Sequence, residues 1–237
     1  MQTGTKVSLP EGVSLQKVAQ VLLDAWAVGS HQWEGTPVRL REGPDETPPP
    51  PVPHDALDLF RVLHQQQLPY LLVGGIAMLT YVQGRNTKDV DLLMSLEAMQ
   101  RVRDLRVEER NDCFVRGRFR TVQVDLLLTT NPLFKIVAEQ FATTHRFAEL
   151  EVPAVTVSGL LLLKFYALPS LYRQFDWDRA YVYESDIKQL IAAYQPDLTH
   201  LFAILHEHMP ASDLRELSNL VSEDYERRAR FKKPKAG

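Results

Sequence analysis

A run of apolar residues, Tyr70-Leu71-Leu72-Val73, stops at the pair Gly74-Gly75, and thirteen residues later comes Asp89-Val90-Asp91-Leu92. No other feature constrains the fold of this chain so tightly. A short apolar run closed by a glycine pair reads as a buried strand. Ile76 to Val82 has few breakers and reads as a helix. Val90, Leu92, Leu93 and Met94 make a second strand. Side chains alternate across a strand, so Asp89 and Asp91 share one face while Val90 points to the other. A third carboxylate, Asp125, sits inside a further apolar run, Val122-Gln123-Val124-Asp125-Leu126-Leu127-Leu128.

The chemistry follows from the spacing. Glycine lets a phosphate approach the backbone, and a helix N-terminus offers unpaired N–H groups with a partial positive charge. Gly74 and Gly75 therefore suit a triphosphate. Two carboxylates on one strand face repel unless a cation lies between them. Mg²⁺, or Mn²⁺ in its place, takes such oxygen ligands and keeps substrate phosphates in its shell. Asp125 is the natural third ligand if its strand lies beside the Asp89 strand, because an ionised Asp among valines and leucines is costly to bury alone. A bland reading stands beside this one: a lone Gly-Gly is usually a turn, and a lone Asp-x-Asp a solvated strand edge. The joint pattern is much rarer than either piece.

The pattern resembles the minimal nucleotidyltransferase fold of the DNA polymerase beta superfamily. That family's signature is a hydrophobic residue, Gly-[Gly/Ser], a helix-length spacer, then Asp-hydrophobic-[Asp/Glu]-hydrophobic, and Gly74, Gly75, Asp89 and Asp91 match it. Asp125 matches the third carboxylate. The resemblance covers about residues 55 to 130. The following segment is similar to the abortive-infection (AbiEii-type) nucleotidyltransferase toxins, including the mycobacterial MenT group. Lys164, in Leu161-Leu162-Leu163-Lys164-Phe165-Tyr166-Ala167, matches their phosphate-contacting lysine, and Asp186 matches a later aspartate, although Ser185 precedes it where they carry a base. Arg85-Asn86-Thr87-Lys88 before Asp89 fits their Arg-x-Thr-x-Asp-x-Asp run, which places Arg85 and Thr87 with the nucleotide. The resemblance implies an α+β fold: a nucleotidyltransferase-type mixed β-sheet flanked by helices, with a C-terminal helical subdomain. It also implies Mg²⁺-dependent transfer of a nucleoside monophosphate from a nucleoside triphosphate to an RNA end, tRNA above all. The protein would then be the toxin of a toxin–antitoxin system, with an antitoxin protein as partner. Two other readings stay open: a small-molecule or protein acceptor, and a relative that binds nucleotide or a partner without turnover.

Several residues keep a plainer alternative. Lys164 could pack its stem on a core while its head reaches water. Arg85 and Lys88 could be exposed loop cations. Arg116, Arg118 and Arg120 read as loop cations that could extend an RNA surface. The basic tail Arg227 to Lys235 reads as a frayed terminus or a phosphate contact.

Composition sets the bounds. The 237 residues are 45% hydrophobic and 24% charged, as in ordinary globular proteins, and allow one sizeable core plus an appendage. A net charge of −3 gives no global pull toward nucleic acid. No apolar run is long enough to span a membrane, and no signal peptide is evident. The single cysteine, Cys113, excludes an internal disulfide and a cysteine-built zinc site. A reducing cytoplasm is the expected location. Four segments follow: an N-terminal appendage (1–43) with one helix from Ser14 to Trp26, a Pro-rich linker (44–53), a catalytic domain (54–157), and a helical subdomain with a basic tail (158–237). Helices are expected at Asp55 to Gln67, Ser95 to Leu105, Pro132 to Ala142, Ser158 to Leu168, Tyr183 to Tyr194, Pro196 to Glu207 and Ala211 to Arg230. A hairpin is expected about Arg116-Gly117-Arg118, and short strands at Phe147 to Val152 and Val155 to Val157.

Overall fold

The computed structural model describes residues 53–82, 87, 89–147 and 150–231. The expected helix at Ser14 to Trp26, the proline linker before residue 53, Arg85, Lys88 and the tail beyond Phe231 lie outside them. The chain divides into two compact units, with the boundary between Thr156 and Val157.

The first unit runs α1 (Pro53–Gln65), β1 (Tyr70–Leu72), α2 (Gly74–Met78), β2 (Asp89–Met94), α3 (Leu96–Gln100), β3 (Leu105–Arg110), β4 (Phe114–Phe119), β5 (Val122–Leu128), α4 (Pro132–Gln140), β6 (Ala142–Phe147) and β7 (Leu150–Val155). Its strands make one mixed seven-stranded sheet in the order β3-β4-β5-β2-β1-β7-β6. β2 runs parallel to β5 and antiparallel to β1, and β1 runs parallel to β7. The α+β class and mixed sheet are those expected. Central strands must bury both faces, and they do: Leu72, Val90, Leu92, Leu93, Val124, Leu126 and Ala154 are all buried. α1 covers part of the sheet with Ala56, Leu59, Phe60 and Leu63, while Leu57 and Val62 are half-buried. The turns after α2 are pinned by Tyr81, whose hydroxyl donates to the Val155 carbonyl (2.8 Å) while His145 Nε2 lies 2.8 Å from the Tyr81 hydroxyl oxygen.

Three local expectations are corrected. Residues 95–105 do not form one helix. Ser95 Oγ accepts from the Ala98 N–H (3.0 Å) and caps the five-residue α3, after which Leu105 opens an edge strand. β3 is exposed along most of its length, so its sequence carries no alternation to betray it. The β4–β5 turn lies at Arg120-Thr121, not at Arg116-Gly117-Arg118, which is strand. Gly117 marks a close approach rather than a turn: a Cβ there would meet the Arg106 carbonyl at 2.6 Å. Finally, α4 ends at Gln140 and Ala142–Phe147 becomes a strand paired with β7.

The second unit is helical: α5 (Val157–Arg173), α6 (Trp177–Tyr194), α7 (Leu198–His206) and α8 (Ala211–Phe231). α5 is apolar almost all round and correspondingly buried. It continues past Pro169, where the sequence predicts an end. A proline inside a helix costs about 3 kcal/mol in isolation, but Leu168, Pro169 and Leu171 are all buried, and that packing offsets the lost hydrogen bond. α6 starts at Trp177, six residues before the expected Tyr183, because Asp176 accepts from the Arg179 N–H (3.3 Å) and supplies a cap. No helix among the described residues is long and apolar enough to cross a membrane.

Candidate metal and nucleotide site

The parallel register of β2 and β5 sets Asp91 opposite Asp125, with Asp89 two residues back on the same face. One oxygen of each carboxylate lies within 4.8 Å of the others. Sequence periodicity put two carboxylates on one face; strand pairing brought the third to them.

Each carboxylate is held by a hydrogen-bond donor. The Gly75 N–H donates to Asp91 Oδ2 (3.1 Å). The Thr87 hydroxyl donates to Asp89 Oδ1 (2.9 Å) and is buried. Arg116 forks Asp125, with Nε 3.0 Å from Oδ1 and Nη2 2.9 Å from Oδ2. Such donors fix the rotamer of a ligating side chain, as outer-shell partners of metal ligands do.

The glycine pair now has a specific structural reason. Gly74 adopts φ +61°, and a Cβ there would stand 1.9 Å from Asp91 Oδ2. A Cβ on Gly75 would stand 2.4 Å from Thr87 Oγ1. The two glycines make room for one carboxylate and for the residue that steadies another. The helix they begin is only five residues long.

Sequence reasoning missed Arg116. It is a strand residue opposite Asp125 in the β4–β5 ladder. Asp125 holds its guanidinium charged and raises its pKa, chiefly through the hydrogen bonds. The signal was present: with the turn at Arg120-Thr121, antiparallel register pairs Phe119 with Val122 and hence Arg116 with Asp125. Arg118 is likewise engaged, by Glu108 (2.9 Å), and Arg120 by Asp58 (2.5 Å) and Asp55 (3.4 Å) of α1. The expectation that these three arginines are loop cations is corrected. They lie in β4 or at its turn, and each meets a carboxylate.

Thr87, expected beside nucleotide, turns its hydroxyl to Asp89. Lys164 and Asp186 lie in the second unit, on α5 and α6. Lys164 does not reach for water: its Nζ is 2.7 Å from Asp186 Oδ2, both side chains are almost wholly buried, and the ammonium lies 4.3 Å from the centre of the Tyr183 ring. The same unit holds a cavity of about 740 Å³ between α5, α6 and α8. Of its carboxylates, Glu184 and Asp213 are matched by Lys188 (2.7 Å) and Arg173 (2.9 Å).

No protein-family model and no curated protein matches the chain. Solved structures do resemble it distantly. An antigenic nucleotidyltransferase-like protein from Paracoccidioides brasiliensis is 14% identical, with a TM-score of 0.44 over 68% of this chain and 91% of that one. ANT(2'')-Ia in complex with adenylyl-2''-tobramycin is 14% identical, with a TM-score of 0.48 over 64% of this chain and 94% of that one. The solution structure of the antibiotic-resistance factor ANT(2'')-Ia is 16% identical, with a TM-score of 0.42 over 65% and 97%.

Proposed function

We propose that the protein is a metal-dependent nucleotidyltransferase that moves a nucleoside monophosphate from a nucleoside triphosphate to a hydroxyl acceptor. The observation that carries this reading is the convergence of Asp89, Asp91 and Asp125, each steadied by its own donor. The donor set fits a hard divalent cation. All three ligands are carboxylates, they are close enough to share one ion, and with one guanidinium beside them they keep a net negative charge. Asp89, Asp91 and Asp125 would hold Mg²⁺ or Mn²⁺, which when bound supplies positive charge for the phosphates and acidifies a hydroxyl.

The chain's own residues do the rest. Gly75 and Thr87 orient the carboxylates. Gly74 and Gly75 are assigned to the triphosphate on the family resemblance. Asp125 receives the proton of the acceptor hydroxyl as its oxygen attacks the α-phosphorus. The bond from that phosphorus to the bridging oxygen breaks, and pyrophosphate leaves. Lys164 and Arg85 are assigned to the phosphates on the family resemblance, which also supports an RNA end, tRNA above all, as acceptor and a toxin role opposed by an antitoxin.

The test is incubation of the protein with Mg²⁺, total tRNA and each α-³²P-labelled nucleoside triphosphate in turn. Label joining RNA with the wild type but not with Asp89→Asn/Asp91→Asn is expected. Nucleotide binding without RNA labelling would move the acceptor to a small molecule or protein. No metal-dependent nucleotide binding would refute the enzyme reading.

A further inference from the structure

Asp125 enters the site already engaged on both oxygens. Arg116 Nε and Nη2 take Oδ1 and Oδ2, and Gln123 Nε2 lies 3.5 Å from Oδ1. The Asp125 side chain is 2% exposed, while that of Arg116 is 30% exposed. Arg116 is fixed in turn: Glu109 lies 3.9 Å from Nη1, and the Phe114 ring centre is 5.5 Å from the guanidinium carbon. A carboxylate oxygen has two lone-pair directions. A fork across both oxygens uses one on each, so a single direction per oxygen remains for a cation beside Asp89 and Asp91.

Charge points the same way. Three ionised carboxylates carry −3, and the guanidinium reduces this to −2 at the cost of placing a permanent cation beside the ion's seat. Arginine keeps that charge at every working pH. From these observations we infer that Arg116 is a positioning residue that sets the metal affinity of the cluster. It holds Asp125 in its ligating orientation and holds down the affinity for a bare dication, so that full loading waits for the triphosphate to bring its own negative charge. The inference rests on the nucleotidyltransferase reading and adds to it the reason metal and nucleotide bind together.

The experiment is titration of the full chain, freed of metal, with Mn²⁺, the free ion being read by electron paramagnetic resonance. Arg116→Gln keeps a donor near Asp125 and removes the charge. It should bind Mn²⁺ about tenfold more tightly than the wild type, since a fixed cation a few ångströms from a dication acts strongly at low effective dielectric. A residue that only braced the strand pair would do the opposite, because a loosened Asp125 is a poorer ligand. Weaker or unchanged Mn²⁺ binding by a folded Arg116→Gln protein overturns the inference. Arg116→Lys carries the test if Arg116→Gln does not fold. It keeps the charge, so affinity within about twofold of the wild type is expected, and a tenfold loss would assign the effect to the fork alone. A wild type that binds Mn²⁺ while Arg116→Gln matches it refutes this inference only. A wild type that binds no Mn²⁺ even with a nucleoside triphosphate present refutes the nucleotidyltransferase reading as well.

Discussion

The buried pair Lys164–Asp186 makes a quantitative prediction. Its side chains are 4% and 1% exposed and its charged atoms are 2.7 Å apart. At an effective dielectric of about 20 the gross attraction is roughly 6 kcal/mol, most of which repays the desolvation of two ions. Removing one partner leaves the other charge buried without its counter-ion, at a cost of about 3–5 kcal/mol. Lys164→Met and Asp186→Leu should therefore each lower stability by that much in urea unfolding followed by helical circular dichroism. The double variant should lose far less than the sum, because two well-packed apolar side chains replace a pair that contributed little net stability. Single variants within about 1 kcal/mol of the wild type, or a double variant equal to the sum of the singles, would refute the reasoning. The folded double variant then separates the two readings of Lys164. Loss of nucleotide affinity assigns the ammonium to the phosphates. Unchanged affinity assigns it to the helical unit alone.

Three further outcomes are expected. Gly74→Ala forces a left-handed residue to carry a Cβ into Asp91; it should cost about 1–2 kcal/mol in backbone strain alone and weaken Mn²⁺ binding, and a variant with wild-type Mn²⁺ affinity would contradict the geometry. Thr87→Val removes the hydroxyl that orients Asp89 and should weaken metal binding by about tenfold or more, as loss of an outer-shell partner does, with little change in the unfolding midpoint. Burial lowers the pKa of His145 below its ordinary 6.5, so the unfolded chain binds the proton first. Stability from this site should be full above pH 6.5, fall as the pH drops toward the depressed folded value, and show a smaller slope in His145→Gln.

Much of the fold was legible because local chemistry and period agree there. Gly74-Gly75 after an apolar run, and Asp-Val-Asp at strand period, placed β1, β2 and two of the three carboxylates, while the helix expected from Ile76 to Val82 is the shorter α2, which ends at Met78 and gives way to turns. Asp125 stood out because a charge amid valine and leucine needs a partner. The errors fell where local signals mislead. Gly117 looks like a turn but lies in a strand, held there by the neighbouring Arg106 carbonyl. β3 lacks alternation because it is an exposed edge. Pro169 looks like a stop, yet burial carries α5 past it.

The sequence by itself determined which side chains are candidates for the site and that Asp89 and Asp91 face the same way, since a strand's period is a property of one segment. Only the tertiary structure decided what those groups meet. Asp125 joins them through the β2–β5 register. Arg116 reaches Asp125 because Arg120 and Thr121, tied to Asp55 and Asp58 of α1, set the turn and hence the ladder. Lys164 finds Asp186 because two helices pack. A charge announces in sequence that it needs a partner. Which one it gets depends on chain segments far apart in number, and their meeting is fixed by register and packing rather than by local pattern.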